Sequence, residues 1–185
     1  MLVPTTKLHL VSDWSPDGKR VIGECSPMVD GICATDPSSG ATNALLKDAK
    51  GGYLLYPTFS WDGKWVTFML RRASGTVVCV TPVRADGTLA GETEWVRISP
   101  ETEQATRPHF SPDGTSIFYA IARKTVMEVV SQKLDSLTKK PLGQPTKIAS
   151  APFSRPGQFI ISVSRDRLFF NIDEIRSNIW MTRLD

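Results

Sequence analysis

The sequence predicts an all-β fold made of repeated four-stranded antiparallel sheets. Three observations carry this prediction. A turn motif of the type Ser-Pro-Asp-Gly recurs along the chain, short apolar runs follow each copy, and no window keeps the apolar period of a helix. Glycine or proline also punctuates the sequence throughout, which is typical of short strands joined by turns.

The turn motif recurs at a spacing that fits a structural repeat. Its aspartates are Asp17, Asp62, Asp113 and, in a weaker copy, Asp166, at spacings of 45, 51 and 53 residues. Blades of a β-propeller usually repeat every ~40–50 residues. Within the motif, proline sets one φ, glycine supplies a positive φ, and aspartate accepts local N–H bonds. Each copy is therefore expected to be a hairpin turn between two antiparallel strands.

Each repeat carries enough β-like sequence for four strands. The strand before the turn ends in an aromatic residue or valine, and an apolar run follows the turn. A third β-rich run follows at residues 32–35, 77–80, 127–130 and 179–181, and a weaker fourth run at 43–46, 94–98 and 145–148. The prediction is a β-propeller region of about four blades, at residues 8–48, 53–99, 105–149 and 157–185. The N-terminal residues 1–3 have the position of a fourth strand for the last blade.

Composition indicates a folded globular chain. The 185 residues are 41% hydrophobic and 22% charged, which excludes collagen, coiled coil and wholesale disorder. The net charge of +3 comes from interspersed charges, so nothing points to nucleic acid. No apolar stretch is long enough to span a membrane, and the N-terminus does not have the pattern of a secretory signal. The three cysteines, Cys25, Cys33 and Cys79, are expected to be free thiols.

The common catalytic motifs are missing from the sequence. It contains no Gly-x-Ser-x-Gly, no phosphate-binding or dinucleotide-binding glycine pattern, no His-Glu-x-x-His and no paired-cysteine motif. The only histidines are His9 and His109, too few for a histidine-rich metal centre. The expectation is a chain that is not an enzyme and has no cofactor and no metal.

One polar position recurs just before the aromatic residue or valine that ends each first strand. It holds Asp13, Thr58, His109 and Ser162. If the first strands line a central channel, these side chains converge near its axis and bind an ion or a small polar ligand. The other interpretation is that they make hydrogen bonds within and between blades.

Two other groups of residues are candidates for partner binding. The pairs Arg71-Arg72 and Arg123-Lys124 fall in equivalent loops of successive repeats and are the candidate basic patch. The loops of that face carry eight basic residues, Arg107 among them, and seven acidic residues, Glu24 among them, so solvated loop charge is the alternative. Trp61, at a hairpin tip, and Trp95 are either exposed anchors or packing residues. Five aromatic residues are assigned to packing between blades: Phe59, Phe68, Phe110, Phe118 and Trp180.

The repeats resemble those of TolB-type β-propellers, whose blades carry WD-like (Phe/Trp)-Ser-Pro-Asp-Gly-Lys hairpins. The pattern is complete at residues 14–19. Trp61 replaces proline at residues 59–64, and Thr115 replaces lysine at residues 110–115. Residues 177–185 are similar to the family's third strand and terminal polar turn. The fourth repeat departs from the pattern, because it lacks proline and glycine in its turn.

The resemblance implies a binding or scaffold module of a larger bacterial protein. Its expected partner is a protein or peptide held by the loop face, and a periplasmic or extracytoplasmic location follows from resemblance alone. The alternative is an enzyme-associated propeller, which gates a peptidase domain or has a polysaccharide-lyase-like site around His109. Four blades are few for a closed propeller. The sequence therefore favours a piece of a larger propeller, with a closed four-bladed ring, a homo-oligomer or a covalent upstream domain as alternatives.

Overall fold

The structure is a computed structural model that describes residues 8–26, 30–124, 126–152 and 159–171. It is all-β, with three four-stranded antiparallel sheets and a two-stranded one. Blade 1 comprises β1 Leu8–Trp14, β2 Val21–Cys25, β3 Gly31–Thr35 and β4 Thr42–Lys47. Blade 2 comprises β5 Tyr53–Phe59, β6 Trp65–Arg72, β7 Gly75–Pro82 and β8 Val96–Arg97, with a short 3₁₀ helix at Glu92–Glu94. The fold predicted from the repeats is confirmed.

Blade 3 has four strands of six to eight residues each. It comprises β9 Ala105–Phe110, β10 Ser116–Arg123, β11 Val126–Lys133 and β12 Thr146–Pro152. Blade 4 is described only as the hairpin of β13 Ile161–Val163 and β14 Leu168–Phe170. The predicted strand at 179–181, the packing role of Trp180 and the strand at residues 1–3 lie outside the described residues.

The turns between the first two strands have the geometry that the motif predicts. In blade 1 the Ser15 carbonyl accepts a hydrogen bond from Gly18 N at 2.8 Å, and Gly18 has φ 71°. The Asp17 carboxylate accepts from the Ser15 hydroxyl at 2.6 Å and from Lys19 N at 3.1 Å. The turns of blades 2 and 3 repeat this arrangement with Asp62 and Asp113. Local sequence chemistry therefore fixes three of the hairpins.

The apolar core lies between blades rather than within them. Along β7, Val77 and Cys79 pack into a cluster shared with blade 1, whereas Val78 and Val80 pack into a cluster shared with blade 3. Successive side chains of a strand point to opposite faces of the sheet, so one strand supplies both clusters. This is why the strands of blade 2 are continuous apolar runs.

Most of the predicted packing aromatics lie in these clusters. Phe59, Phe68 and Phe110 are buried there, whereas Phe118 is only half-buried. Trp95 packs on the cluster between blades 1 and 2, with its ring 5.1 Å from that of Phe68 in an edge-on arrangement. Its indole N–H donates to the Ala90 carbonyl at 2.9 Å, which confirms the packing interpretation for Trp95.

The expectation of three free thiols was wrong for two of the cysteines. Cys25 and Cys33 form a disulfide that joins β2 to β3, with Cα atoms 5.1 Å apart. The sequence shows the two cysteines but not the strand pairing that brings them together. Cys79 is a buried free thiol, and burial raises its pKa to about 12. In the described part of the chain, no helix is long and apolar enough to cross a membrane.

The disulfide gives a direct chemical prediction. Thiol titration of the unfolded, unreduced protein is expected to find one reactive thiol, that of Cys79, because Cys25 and Cys33 are oxidised. Replacing both bonded cysteines with serine should lower the free energy of unfolding by about 2–3 kcal/mol, because the cross-link restricts the unfolded chain. Cys79→Ala is the matched control for loss of a thiol without loss of the cross-link. Three reactive thiols before reduction would contradict the pairing.

Candidate functional site: the channel mouth

The first strands of successive blades are neighbours. Contacts join β1 to β5, β5 to β9 and β9 to β13, so these strands form the inner wall of the arc of blades. Each strand ends at its hairpin turn, which brings the recurrent polar position to one end of the wall. We call that end the channel mouth and define it by the residues that line its cavity.

The recurrent polar residues connect each blade to the following one. The Asp13 carboxylate of blade 1 accepts a hydrogen bond from Phe59 N of blade 2 at 2.8 Å. The Thr58 hydroxyl of blade 2 donates to the Pro108 carbonyl of blade 3 at 3.0 Å. His109 of blade 3 hydrogen-bonds the backbone of Ile161 in blade 4. The interpretation as hydrogen bonds between blades therefore holds at three of the four positions.

A cavity of about 550 Å³ lies at the channel mouth and is open to solvent. All four blades contribute to its wall, including Asp13, His109 and Ser162 of the recurrent position. Thr58 is buried and is not among the lining residues. The described lining residues are Ser12, Asp13, Trp14, Pro16, Phe59, Ser60, Trp61, His109, Phe110, Ser162 and Val163.

Two tryptophans are exposed at this cavity. Trp61 occupies the turn position that is proline in blades 1 and 3, and 44% of its surface is exposed. Trp14 ends β1 and is 55% exposed. Sequence reasoning selected Trp61 but not Trp14, whose equivalents Phe59 and Phe110 are buried against the preceding blade. Trp14 holds the same repeat position as these packing residues, and the described residues contain no blade before blade 1 for it to pack against.

The ionisable groups of the cavity wall have shifted pKa values. Burial lowers the pKa of His109 to about 4, and the positive charge of Arg107 adds to this effect, so the imidazole is neutral near pH 7. Burial raises the pKa of Asp13, against the opposing effect of its hydrogen bonds from Phe59 N and Trp14 N. Among the described lining residues, only these two side chains titrate in the acidic to neutral range.

Further along the inner wall, a polar cluster joins three blades. The buried Glu24 carboxylate of β2 accepts from Tyr56 N of blade 2 at 3.2 Å, and burial raises its pKa. The Arg107 guanidinium of blade 3 lies 3.6 Å from the centre of the Tyr56 ring. Tyr56 and Arg107 both have φ 55° and both precede proline, at irregularities in β5 and β9. Sequence reasoning placed Glu24 and Arg107 in loops, which was wrong.

The predicted basic patch lies at the opposite ends of the strands from the channel mouth. There Arg72 binds the buried Asp48 carboxylate through Nε at 2.9 Å and Nη2 at 2.5 Å, and Glu92 through Nη1 at 3.0 Å. These contacts lower the pKa of Asp48. Arg123 pairs with Glu103 at 3.1 Å and Glu128 at 3.3 Å.

The other two residues of the patch are exposed. The Arg71 guanidinium lies 5.1 Å from the centre of the Tyr53 ring, and Lys124 lies at the turn after β10. Half of the proposed patch is therefore occupied in pairs with acidic side chains. Within the described residues, no group of three or more His, Cys, Asp or Glu side chains is arranged to hold a metal ion.

Solved structures with the same fold include TolB proteins. A protein of Agrobacterium tumefaciens assigned as TolB superposes with a TM-score of 0.57 at 24% identity, over 80% of this chain and 52% of its own. TolB from Acinetobacter baumannii superposes with a TM-score of 0.58 at 15% identity, and the match covers 88% of this chain and 42% of that TolB chain. A puromycin-hydrolysing peptidase of Mycobacterium tuberculosis superposes with a TM-score of 0.53 at 21% identity, and the match covers 70% of this chain and 21% of the peptidase.

These likenesses show the fold, which is that of a TolB-like β-propeller. The chain spans about half the length of the TolB structures that it matches, and a smaller share of the peptidase. No protein-family model and no curated protein matches the sequence.

The Thr58 hydrogen bond is expected to contribute to stability. In Thr58→Val the side chain keeps its shape, but the buried Pro108 carbonyl loses its donor. An unsatisfied buried acceptor costs about 1–3 kcal/mol, so urea unfolding should show a loss of that size. The exposed Thr93→Val is the matched control and should change stability by less than about 0.5 kcal/mol. Equal effects of the two substitutions would contradict the role of Thr58 between blades.

His109 is expected to make stability depend on pH. Between pH 6.5 and pH 4 the unfolded state binds a proton at this histidine and the folded state does not, so stability falls as pH falls through that window. The loss is on the order of 3 kcal/mol. It should be absent in His109→Gln, with both proteins followed by urea unfolding. The raised pKa values of Asp13 and Glu24 act in the opposite sense in both proteins and cancel in the difference. A difference that stays constant with pH would contradict the prediction.

Proposed function

We propose that this chain is a non-catalytic propeller scaffold that binds a protein or peptide partner at the channel mouth. The observation that carries the proposal is the open cavity of about 550 Å³, to which four blades contribute and at which two tryptophans are exposed. Pockets of ~300–1,000 Å³ with aromatic walls and a few polar groups are typical binding sites. Exposed tryptophan is also a frequent anchor residue in protein interfaces.

The chemistry of the cavity wall supports binding rather than catalysis. General acid–base catalysis needs positioned groups that are free to exchange protons with a substrate. Asp13 and His109 each hydrogen-bond the backbone of the following blade, and burial keeps His109 neutral. An enzyme-associated role is the alternative, and activity of this chain on peptides or oligosaccharides that is lost in His109→Ala would favour it.

The basic loop face is the competing location for the partner. Its residues are Arg71, Arg72, Arg123 and Lys124, and Arg72 and Arg123 already contact two carboxylates each. A ligand would have to displace these ion pairs, whereas the channel mouth offers open space. The geometry therefore supports the mouth over the loop face.

The disulfide supports an extracytoplasmic location. Disulfides persist in oxidising compartments and are rare in the reducing cytosol. The Cys25–Cys33 bond closes the loop between β2 and β3 at the loop face. We infer that the protein works in the periplasm or outside the cell, where a peptide partner would be presented to an oxidised propeller.

Selection of peptides from a random display library against the immobilised chain tests the site. Selected peptides are expected to lose about tenfold or more in affinity for Trp61→Ala, because the exposed indole is an anchor. They should keep their affinity for the Arg71→Gln/Lys124→Gln double variant, which alters two exposed residues of the opposite face. The reverse pattern would place the partner on the loop face. Failure to select any binder would contradict the proposed function.

A further inference from the structure

The channel mouth has an electrostatic character that restricts its ligand. The described lining residues include the Asp13 carboxylate but no lysine and no arginine. Each Asp13 oxygen accepts one backbone N–H, from Trp14 at Oδ1 and from Phe59 at Oδ2, which leaves lone pairs on both oxygens. The described lining residues therefore offer a negatively charged hydrogen-bond acceptor and no lysine or arginine that would compete with a cationic ligand.

The neutral polar side chains of His109 and Ser12 line the same cavity as this carboxylate. The imidazole of His109 is uncharged near neutral pH, so it adds no positive charge to the cavity. The Ser12 hydroxyl oxygen is buried at the cavity wall and has no hydrogen-bond partner among the described residues. A ligand group rich in N–H donors would satisfy an oxygen that the fold leaves unsatisfied.

The indoles add a second attraction for positive charge. Trp61 and Trp14 both line the cavity and are both exposed. The face of an indole attracts Lys and Arg cations more strongly than do other aromatic faces. Trp61 is the more informative of the two, because the same turn position is Pro16 in blade 1 and Pro112 in blade 3. The turn itself does not require a tryptophan there.

The geometry points to a cationic side chain, that of an arginine or lysine in a peptide partner, as the group that enters the channel mouth. This inference rests on the proposed function and specifies its ligand chemistry. Asp13 would pair with the cation, the Trp61 and Trp14 rings would contact its alkyl stem and charged head, and the Ser12 oxygen would accept one N–H. The volume of about 550 Å³ is large enough for such a side chain with part of its backbone.

The test compares charged and neutral peptides of the same shape. The probes are acetyl-Gly-Arg-Gly-amide, its citrulline analogue, and the lysine and norleucine counterparts. Binding is followed by the indole N–H resonances of the full chain, with those of Trp14 and Trp61 assigned from Trp→Phe variants. The arginine or lysine peptide should shift both resonances and bind about fivefold or more tightly than its neutral analogue. The resonance of Trp95, whose N–H is held by the Ala90 carbonyl, should not move.

Two variants separate the charge from the aromatic surface. Asp13→Asn keeps an acceptor oxygen for Phe59 N and should reduce the preference for the charged peptide to about twofold or less. Trp61→Ala alters an exposed turn residue and should lower the affinity for the charged peptide by about fivefold. This variant tests the inference even if the Asp13 variant does not fold. Arg71→Gln on the opposite face should leave affinity unchanged.

The possible outcomes distinguish this inference from the proposed function. If arginine and citrulline peptides shift the two indole resonances with equal affinity, the mouth binds peptides without a charge preference, and the inference is overturned while the proposed function stands. If neither probe shifts these resonances but display-selected peptides do, the cation is again excluded as the ligand group. If no peptide of either kind moves them, both proposals fail.

Discussion

The structure depends on how the inner strand of each blade binds the inner strand of the next. The inner strands β1, β5 and β9 are edge strands of their sheets, so half of their backbone N–H and carbonyl groups have no partner within the sheet. Buried backbone groups need partners. The recurrent polar position supplies hydrogen-bond partners from the preceding blade. Its residue type matches the backbone group that it meets, an N–H or a carbonyl. Asp13, which only accepts, binds the N–H of Phe59, and Thr58, which can donate, binds the carbonyl of Pro108.

This requirement explains why the position is always polar. A repeat that selected only for a turn would keep the turn residues and leave the preceding position free. Here Asp13 accepts from Phe59 N, whereas Thr58 and His109 bind the backbone of Pro108 and Ile161, which hold the same position of successive repeats. Apolar packing between blades acts together with these bonds, since Phe59 and Phe110 follow the polar position and lie in the clusters between blades.

The sequence predicts the features that depend on neighbouring residues, such as turns and strands. It does not predict contacts between residues that are far apart in the chain. The turns and the four-strand units follow from residue type and spacing. The partner of Arg72 does not, because Asp48 is 24 positions away and meets it only when blades 1 and 2 pack. The same is true of Asp13 and Phe59, 46 positions apart. The cysteine pair was also missed, because its formation depends on the pairing of β2 with β3.

The candidate site is best located by asking which exposed groups the fold does not need. Arg72 is bound on two sides by acidic residues and holds a buried carboxylate, so its charge serves the structure. Arg123 is similarly paired. Trp61 differs from both, because proline forms the same turn in two other blades and the exposed indole contributes no hydrogen bond to the hairpin. A large aromatic side chain exposed beside a carboxylate, at a position where a smaller residue would fold equally well, is a feature that stability does not explain. This feature is the reason for proposing the channel mouth as the binding surface.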